Sequence, residues 1–414
     1  MKRCIVGILL ILITAVLIAK DFTVKREKTW LRNGAANYHE TIVLIPVEAK
    51  VKELKNLDDW LYVQYQNQKG YIPVNALKVQ PPGSNVFASI QGGSAKSTVT
   101  QHSISAGTKG FAQLFNNHFS LSADETFYDI ALGQQIDTTR FAAFNKATYR
   151  TARDKLFRNA LSLPLKKTPD YFPDAQEGFG LVIAGVIANQ GLYHHPKLIE
   201  YVNFVGQTVV AASDGGDIPF RFFILDISQP NAYACPGGII FISKGMLQLI
   251  KTEAELAFVL AHEIAHVTRF HGMIETIKRE HQIAAASAFD ELDTALPDAF
   301  SAKAKDIEQE LEADIMQMFN TLIQGRLDAY EQEADIVGLR YLARAGYHPQ
   351  NAAELLTRLI NIRYESNNQH YRRDSIRERS AWLNSELAKY KGLKLPFFDH
   401  KDRWNNQKAL MDRP

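Results

Sequence analysis

The stretch that decides the fold is Thr252-Glu253-Ala254-Glu255-Leu256-Ala257-Phe258-Val259-Leu260-Ala261-His262-Glu263-Ile264-Ala265-His266-Val267. It opens with capping-box spacing, in which Thr252 accepts from the third helical amide and Glu255 reaches back to the cap. A helix is predicted to start there. From Leu256 to Val267 every residue is Ala, Leu, Ile, Val or Phe except His262, Glu263 and His266, so this helix is apolar almost all round and belongs in a core. Burying an unpaired carboxylate costs on the order of several kcal/mol even after relaxation. Three ionisable groups in one buried turn therefore need strong mutual pairing or a metal ion.

His262 and His266 stand at i and i+4, on one face and one turn apart, within reach of a single tetrahedral Zn²⁺ at about 2.0–2.1 Å. Glu263 lies beside them, offset by one residue. It is placed to take a proton from a metal-activated water and return it to a leaving amine, which is the H-E-x-x-H chemistry of metalloproteases. Catalytic zinc takes three protein ligands and keeps one position open, so one more Asp, Glu or His has to come from another element. Glu331 and Asp335 are i and i+4 on a second predicted helix, beside an apolar stripe of Tyr330, Ala334, Val337 and Tyr341. Glu331 is the expected third ligand. Asp335, one turn on, is expected to accept the second imidazole N–H of a ligating histidine and hold its tautomer. Glu333 falls about 160° from that border and is expected in solvent. His271, five residues beyond His266, is rotated off the metal face and is expected to be a polar helix-end residue.

Upstream, Phe220 to Ile227 and Gly238 to Ser243 are predicted strands, and Glu177 to Asn189 and Pro196 to Ala212 predicted helices. Gly238, Ile239, Ile240 and Phe241 are expected to offer a free strand edge on which an extended peptide substrate pairs. The chain from 171 to 390 is thus α+β. Residues 21–79 are all-β by pattern, with short alternating runs such as Trp60-Leu61-Tyr62-Val63-Gln64-Tyr65 divided by turn residues. Residues 80–109 have linker composition, 110–170 form a connecting region with no assigned role, and 391–414 is expected to be a polar tail. Met1-Lys2-Arg3 followed by an apolar run to Ala19 has the layout of an export signal, cleaved or kept as an anchor, over residues 1–20.

His262-Glu263-Ile264-Ala265-His266-Val267, preceded by Glu253-Ala254-Glu255-Leu256-Ala257 and followed by Arg269-Phe270-His271, resembles the M48 family of zinc metallopeptidases. Asn231 to Gly238 and Phe241 to Met246 are similar to that family's loop and strand before the zinc helix. Glu331-Gln332-Glu333-Ala334-Asp335 is similar to its second metal motif, and Gly346-Tyr347-His348-Pro349 to the turn after it. The resemblance implies a mainly helical, gluzincin-type peptidase domain with a small β-sheet, one Zn²⁺ per chain and a glutamate as third ligand. It also implies kinship with the soluble periplasmic branch of the family. Some of those relatives carry a zinc-capping histidine where this chain reads Tyr371-Arg372-Arg373-Asp374-Ser375. Thr29 to Gly34, Asp59 to Val63 and Gly70 to Pro73 resemble the bacterial SH3 domain, which implies a small β-barrel used for binding, with a possible cell-envelope ligand.

Over 414 residues, 47 Lys and Arg stand against 45 Asp and Glu for a net charge of +2, so no broad basic field exists to hold nucleic acid. Cys4 and Cys235 are the only cysteines, and with Cys4 in the export segment a disulfide framework is excluded. Cys235 is expected as a small buried hydrophobe. The expected protein is an exported zinc endopeptidase, in the periplasm or on the periplasmic face of the inner membrane, that cleaves unfolded or misassembled polypeptides. Membrane contact is expected only through an uncleaved N-terminal segment. The oxyanion donor is drawn from Tyr347, His348, Arg373 and Arg379. Two alternatives stay open: a chaperone-like envelope protein with a latched zinc site, and a zinc hydrolase of cell-wall peptides.

Overall fold

Six short strands come first among the described residues: β1 (Asp21–Thr23), β2 (Thr29–Arg32), β3 (Thr41–Ile45), β4 (Lys50–Asn56), β5 (Trp60–Tyr65) and β6 (Gln68–Pro73). The computed structural model describes residues 20–26, 29–57, 59–78, 125–148, 173–272, 328–361, 373–390 and 396–411. The expected export segment up to residue 19 and the linker at 80–109 lie outside the described residues. The strands form one antiparallel sheet in the order β1-β4-β5-β6-β2-β3. Alternation along them directs Val24, Leu31, Ile45, Val51, Leu61, Val63 and Ile72 into a single apolar core. The small all-β domain is present, but its sheet is open where a closed barrel was expected. All three residues of β1 are spent on β4, through Asp21↔Lys52, Phe22↔Val51 and Thr23↔Lys50, and β1 and β3 stay at opposite ends of the sheet.

This domain meets the rest of the chain at the loop that carries Asp217 and at the second of the helices that follow it. Arg26 Nη1 donates to Asp217 Oδ2 at 2.7 Å and to Asn75 Oδ1 at 2.6 Å, and Asn75 Nδ2 donates to the same Asp217 oxygen. Tyr38 also meets Phe141 edge-on at 4.8 Å. The same loop reaches inward, where Asp214 accepts from Tyr341 and Arg344.

The second region holds helices α1 (Glu125–Gly133), α2 (Thr138–Thr148), α3 (Pro173–Ala188) and α4 (Pro196–Val210), then strands β7 (Arg221–Leu225), β8 (Ala232–Ala234) and β9 (Ile239–Ser243). Helices α5 (Lys244–Leu249), α6 (Glu253–Thr268), α7 (Asp328–Arg344), α8 (Gln350–Asn361), α9 (Arg373–Leu387) and α10 (Lys401–Lys408) follow. Residues 125–148 do more than connect. Phe127 packs its ring 5.1 Å from Phe223 and 5.6 Å from Phe241, which joins α1 to the sheet's core.

The three-stranded sheet has the order β7-β9-β8, with β9 parallel to β7 and antiparallel to β8. The expected free edge at Gly238, Ile239, Ile240 and Phe241 is therefore corrected: β9 is the central strand, and all five of its residues are buried. A continuous run such as Ile239-Ile240-Phe241-Ile242 is the signature of a strand covered on both faces, whereas an edge carries polar or charged residues. Enclosure was the better reading of that composition.

Every residue of α6 is buried, as its apolar sequence requires. Thr252 Oγ1 accepts from Glu255 N at 3.1 Å. Glu255 reaches one residue further back than the usual box, accepting from Lys251 N at 2.7 Å, and pairs with Arg358 of α8. Helix α7 lies along α6, and Gly338 makes the approach possible, since a Cβ there would stand 2.9 Å from His262 N. The expected polar tail at 391–414 is corrected as well. Trp404 is fully buried and donates Nε1 to Ile250 O at 3.0 Å, and Arg403 pairs with Glu253 at the start of α6. Polar average composition hid one large apolar anchor. Among the described residues no helix is long and apolar enough to cross a membrane.

Candidate metal centre

Helical spacing on α6 brings His262 Nε2 and His266 Nε2 within 3.0 Å of each other. From α7, Glu331 places Oε2 3.4 Å from the first and Oε1 3.3 Å from the second. Among the described residues this is the one group of His, Cys, Asp and Glu whose ligand atoms gather closely enough for a metal, all within 4.8 Å. Three donors at tetrahedral angles and zinc distances would stand about 3.3 Å apart. Two imidazoles and a carboxylate at 3.0–3.4 Å thus fit zinc in both chemistry and spacing.

Asp335 is fully buried, with Oδ1 3.0 Å from His262 Nδ1. An N–H on Nδ1 leaves the Nε2 lone pair facing the gathered donors, the tautomer a ligand needs. Arg379 of α9 forks onto Asp335, donating Nη2 to Oδ1 at 2.7 Å and Nε to Oδ2 at 2.9 Å, and its Nη1 stands 3.2 Å from Glu331. Burial alone would raise both carboxyl groups. The Arg379 charge and the histidines outweigh it, holding Asp335 below the usual carboxylate range and Glu331 well below it. Burial likewise opposes a charged His262, yet the Asp335 and Glu331 carboxylates push it up to about 9.

On the other side of His266, His271 lies just past the end of α6 and outside the gathered donors, as expected, but it is buried, with Nδ1 2.9 Å from His266 Nδ1. Helix α6 stops at Thr268, and Phe270 turns left-handed at φ 56°, so the chain folds back beneath His266. Helical angles do not carry past Thr268. Glu333 does not stand free in solvent either. Its Oε1 accepts from Arg269 Nε at 2.8 Å, and its Oε2 lies 3.5 Å from His271 Nε2. Burial would raise its carboxyl, but Arg269 and then His271 hold it below the ordinary value. The returning turn 269–271 covers the face of α7 that geometry had assigned to water. A positive φ at a non-glycine residue is uncommon and leaves no mark in sequence.

Glu263 is buried beside the histidines. Its charge is felt at Tyr233 of β8, whose phenol is raised chiefly by burial and further by Glu263. Of the oxyanion candidates, Tyr347 donates its hydroxyl to Glu253 Oε1 at 2.7 Å, nine residues up α6 from His262, or about 13 Å. His348 is exposed and Arg379 is committed to the carboxylates. The Arg373 side chain lies outside the described residues. Cys235 is a buried thiol in the core.

Glu331, Asp335 and Gly338 share one face of α7, at i, i+4 and i+7. Gly338→Ala is accordingly expected to cost about 1–3 kcal/mol by overpacking and to lower zinc affinity by moving Glu331 away from α6. Thermal unfolding of the metal-free protein and zinc titration measure both. Unchanged values in the two assays would show that the helices separate without effect on the site.

The family model for Peptidase family M48 matches residues 196–389, a span that contains α6, α7 and α9. The beta-barrel assembly-enhancing protease of Yersinia pestis is 32% identical over 42% of this chain and 35% of its own length. A putative beta-barrel assembly-enhancing protease of Vibrio cholerae is 34% identical over 43% of this chain and 36% of its own. The mitochondrial metalloendopeptidase OMA1 of Schizosaccharomyces pombe is 29% identical over 40% and 45%. The chain spans about a third of the length of the first two relatives, at 35% and 36%. With the paired histidines and the facing carboxylate inside the matched span, this chain carries a domain of peptidase family M48.

Proposed function

We propose that this chain is a zinc-dependent endopeptidase of the bacterial cell envelope. The observation that carries the reading is the convergence of His262, His266 and Glu331 to mutual distances of 3.0–3.4 Å, with Glu263 one residue from the first ligand. When bound, the zinc ion supplies Lewis acidity to a water and to the scissile carbonyl. Glu263 takes the proton of the attacking water and returns it to the leaving amine. Asp335 holds the His262 tautomer, and Arg379 holds Asp335. In this reading residues 171–390, completed by α10, form the peptidase domain, and 21–79 an SH3-like accessory domain that takes an envelope ligand.

Substrates are polypeptides. With β9 enclosed, preference for unfolded or misassembled chains draws its support from the relatives' names, two of which are beta-barrel assembly-enhancing proteases. The same names, together with the charged start and apolar run of the N-terminus, support export to the periplasm. Purified full chain, with and without a chelator, tested on an unfolded protein and on peptidoglycan fragments, decides the matter. Chelator-sensitive cleavage of the protein supports the proposal. Cleavage of the fragments alone makes it a cell-wall hydrolase, and protection of unfolded protein without cleavage makes it a chaperone.

The ligand set has its own test. Glu331→Ala is expected to lose most zinc affinity, and Asp335→Ala to lose about 10- to 100-fold in affinity or activity. Zinc retained at the wild-type level in Glu331→Ala would remove Glu331 from the site.

A further inference from the structure

We infer that His271 and Glu333 are positioning residues for His266, forming a two-step relay that does for this ligand what Asp335 does directly for His262. The inference rests on the zinc-site reading above. Its basis is the pair of Nδ1 atoms of His266 and His271, 2.9 Å apart and both buried. Between two neutral imidazoles at that distance one nitrogen carries the hydrogen and the other accepts it, so only two arrangements exist.

In the first, His266 carries its proton on Nδ1 and donates it to His271, which leaves the Nε2 lone pair of His266 facing His262 Nε2 and Glu331. His271 must then carry its own proton on Nε2, the atom that stands 3.5 Å from Glu333 Oε2. In the second, His271 donates, and the proton of His266 sits on Nε2, where it blocks the metal. The Glu333 carboxylate discriminates between the two, because it favours an N–H on His271 Nε2 and is opposed by a lone pair there. Arg269 holds that carboxylate in place through Nε at 2.8 Å. Low exposure of Arg269 and His271 keeps water from substituting for either partner. The centre thus has one ligand oriented by a carboxylate in contact and one oriented by a carboxylate at one imidazole's remove.

The test measures zinc affinity of the full chain by competition with a chromophoric chelator, alongside thermal unfolding of the metal-free protein. His271→Phe and Glu333→Ala are each expected to lower zinc affinity about 10- to 100-fold, the range for partners that orient a ligand. His271→Gln, whose side-chain oxygen accepts from His266 Nδ1, is expected to recover most of the loss. Nitrogen-15 NMR of the histidines in the metal-free protein should place the His266 proton on Nδ1. A His266 proton found on Nε2, or affinity within about twofold of wild type in both His271→Phe and Glu333→Ala, would overturn the relay. Equal loss in His271→Gln and His271→Phe would overturn it too, since packing alone would then account for the effect. If His271→Phe fails to fold, partly exposed Glu333 and its Ala variant carry the test. Glu331→Ala in the same assay separates the two levels: retained zinc there removes the metal-site reading itself, whereas zinc lost there and kept in the other variants removes only the relay.

Discussion

Glu263→Gln is expected to keep about one zinc per chain while peptide hydrolysis falls by about 10²- to 10⁴-fold, the usual contribution of a placed general base. Glutamine preserves the volume of the side chain inside the buried face of α6 and removes only its capacity to take a proton. The histidine pair and Glu331 do not pass through it. Metal content by atomic absorption and hydrolysis of an unfolded polypeptide are measured on the same preparation. Normal activity in that variant would remove the peptidase assignment, because no second base stands in the same turn.

Arg403→Ala is expected to destabilise the fold by about 3–5 kcal/mol, the cost of stripping one partner from a buried ion pair. Glu253 is fully buried in the first turn of α6, where the helix dipole favours an acid but does not neutralise it. It accepts from the hydroxyls of Tyr201 and Tyr347 and from the fork of Arg403. Desolvation works against the Arg403 charge, yet the Glu253 carboxylate outweighs it and raises that group above its ordinary value. With the guanidinium removed, a charge is left in the core with two neutral donors. Neutralising it as well, in Glu253→Gln with Arg403→Ala, is expected to restore part of the stability. Urea midpoints of the wild type and the two variants measure this, and a loss under about 1 kcal/mol in Arg403→Ala would mean that water reaches Glu253.

The sequence carried the centre of this structure because its physics is local. Thr252 and Glu255 mark a helix start, and the run from Leu256 to Val267 marks burial. The three exceptions within that run mark the site. Glu331 and Asp335 were legible for the same reason, since i and i+4 on one helix needs no knowledge of anything else. What escaped was set by tertiary events. Phe270 adopts a left-handed turn that sends His271 back under the metal face, and Glu333 then finds Arg269 and His271 where angular reasoning expected water. Gly338 says nothing in sequence about which atom it approaches. Strand β9 was recognised as a strand, but its neighbours on both sides come from chain segments that its own composition does not name. Trp404 and Arg403 sit in a stretch whose average polarity conceals a buried indole and a buried pair.

The distance in sequence between Glu253 and Arg403 sets a clock. They are 150 residues apart, and at about 5–20 residues per second the ribosome adds Arg403 roughly 8–30 s after Glu253. Throughout that interval the first turn of α6 contains an acid whose guanidinium partner has not been made. Burying that turn early is opposed by the same several kcal/mol that Arg403→Ala exposes, on the order of 3–5. Closing the core around the histidines is therefore disfavoured until α10 is available to it, at the end of α6 opposite to His262 and His266.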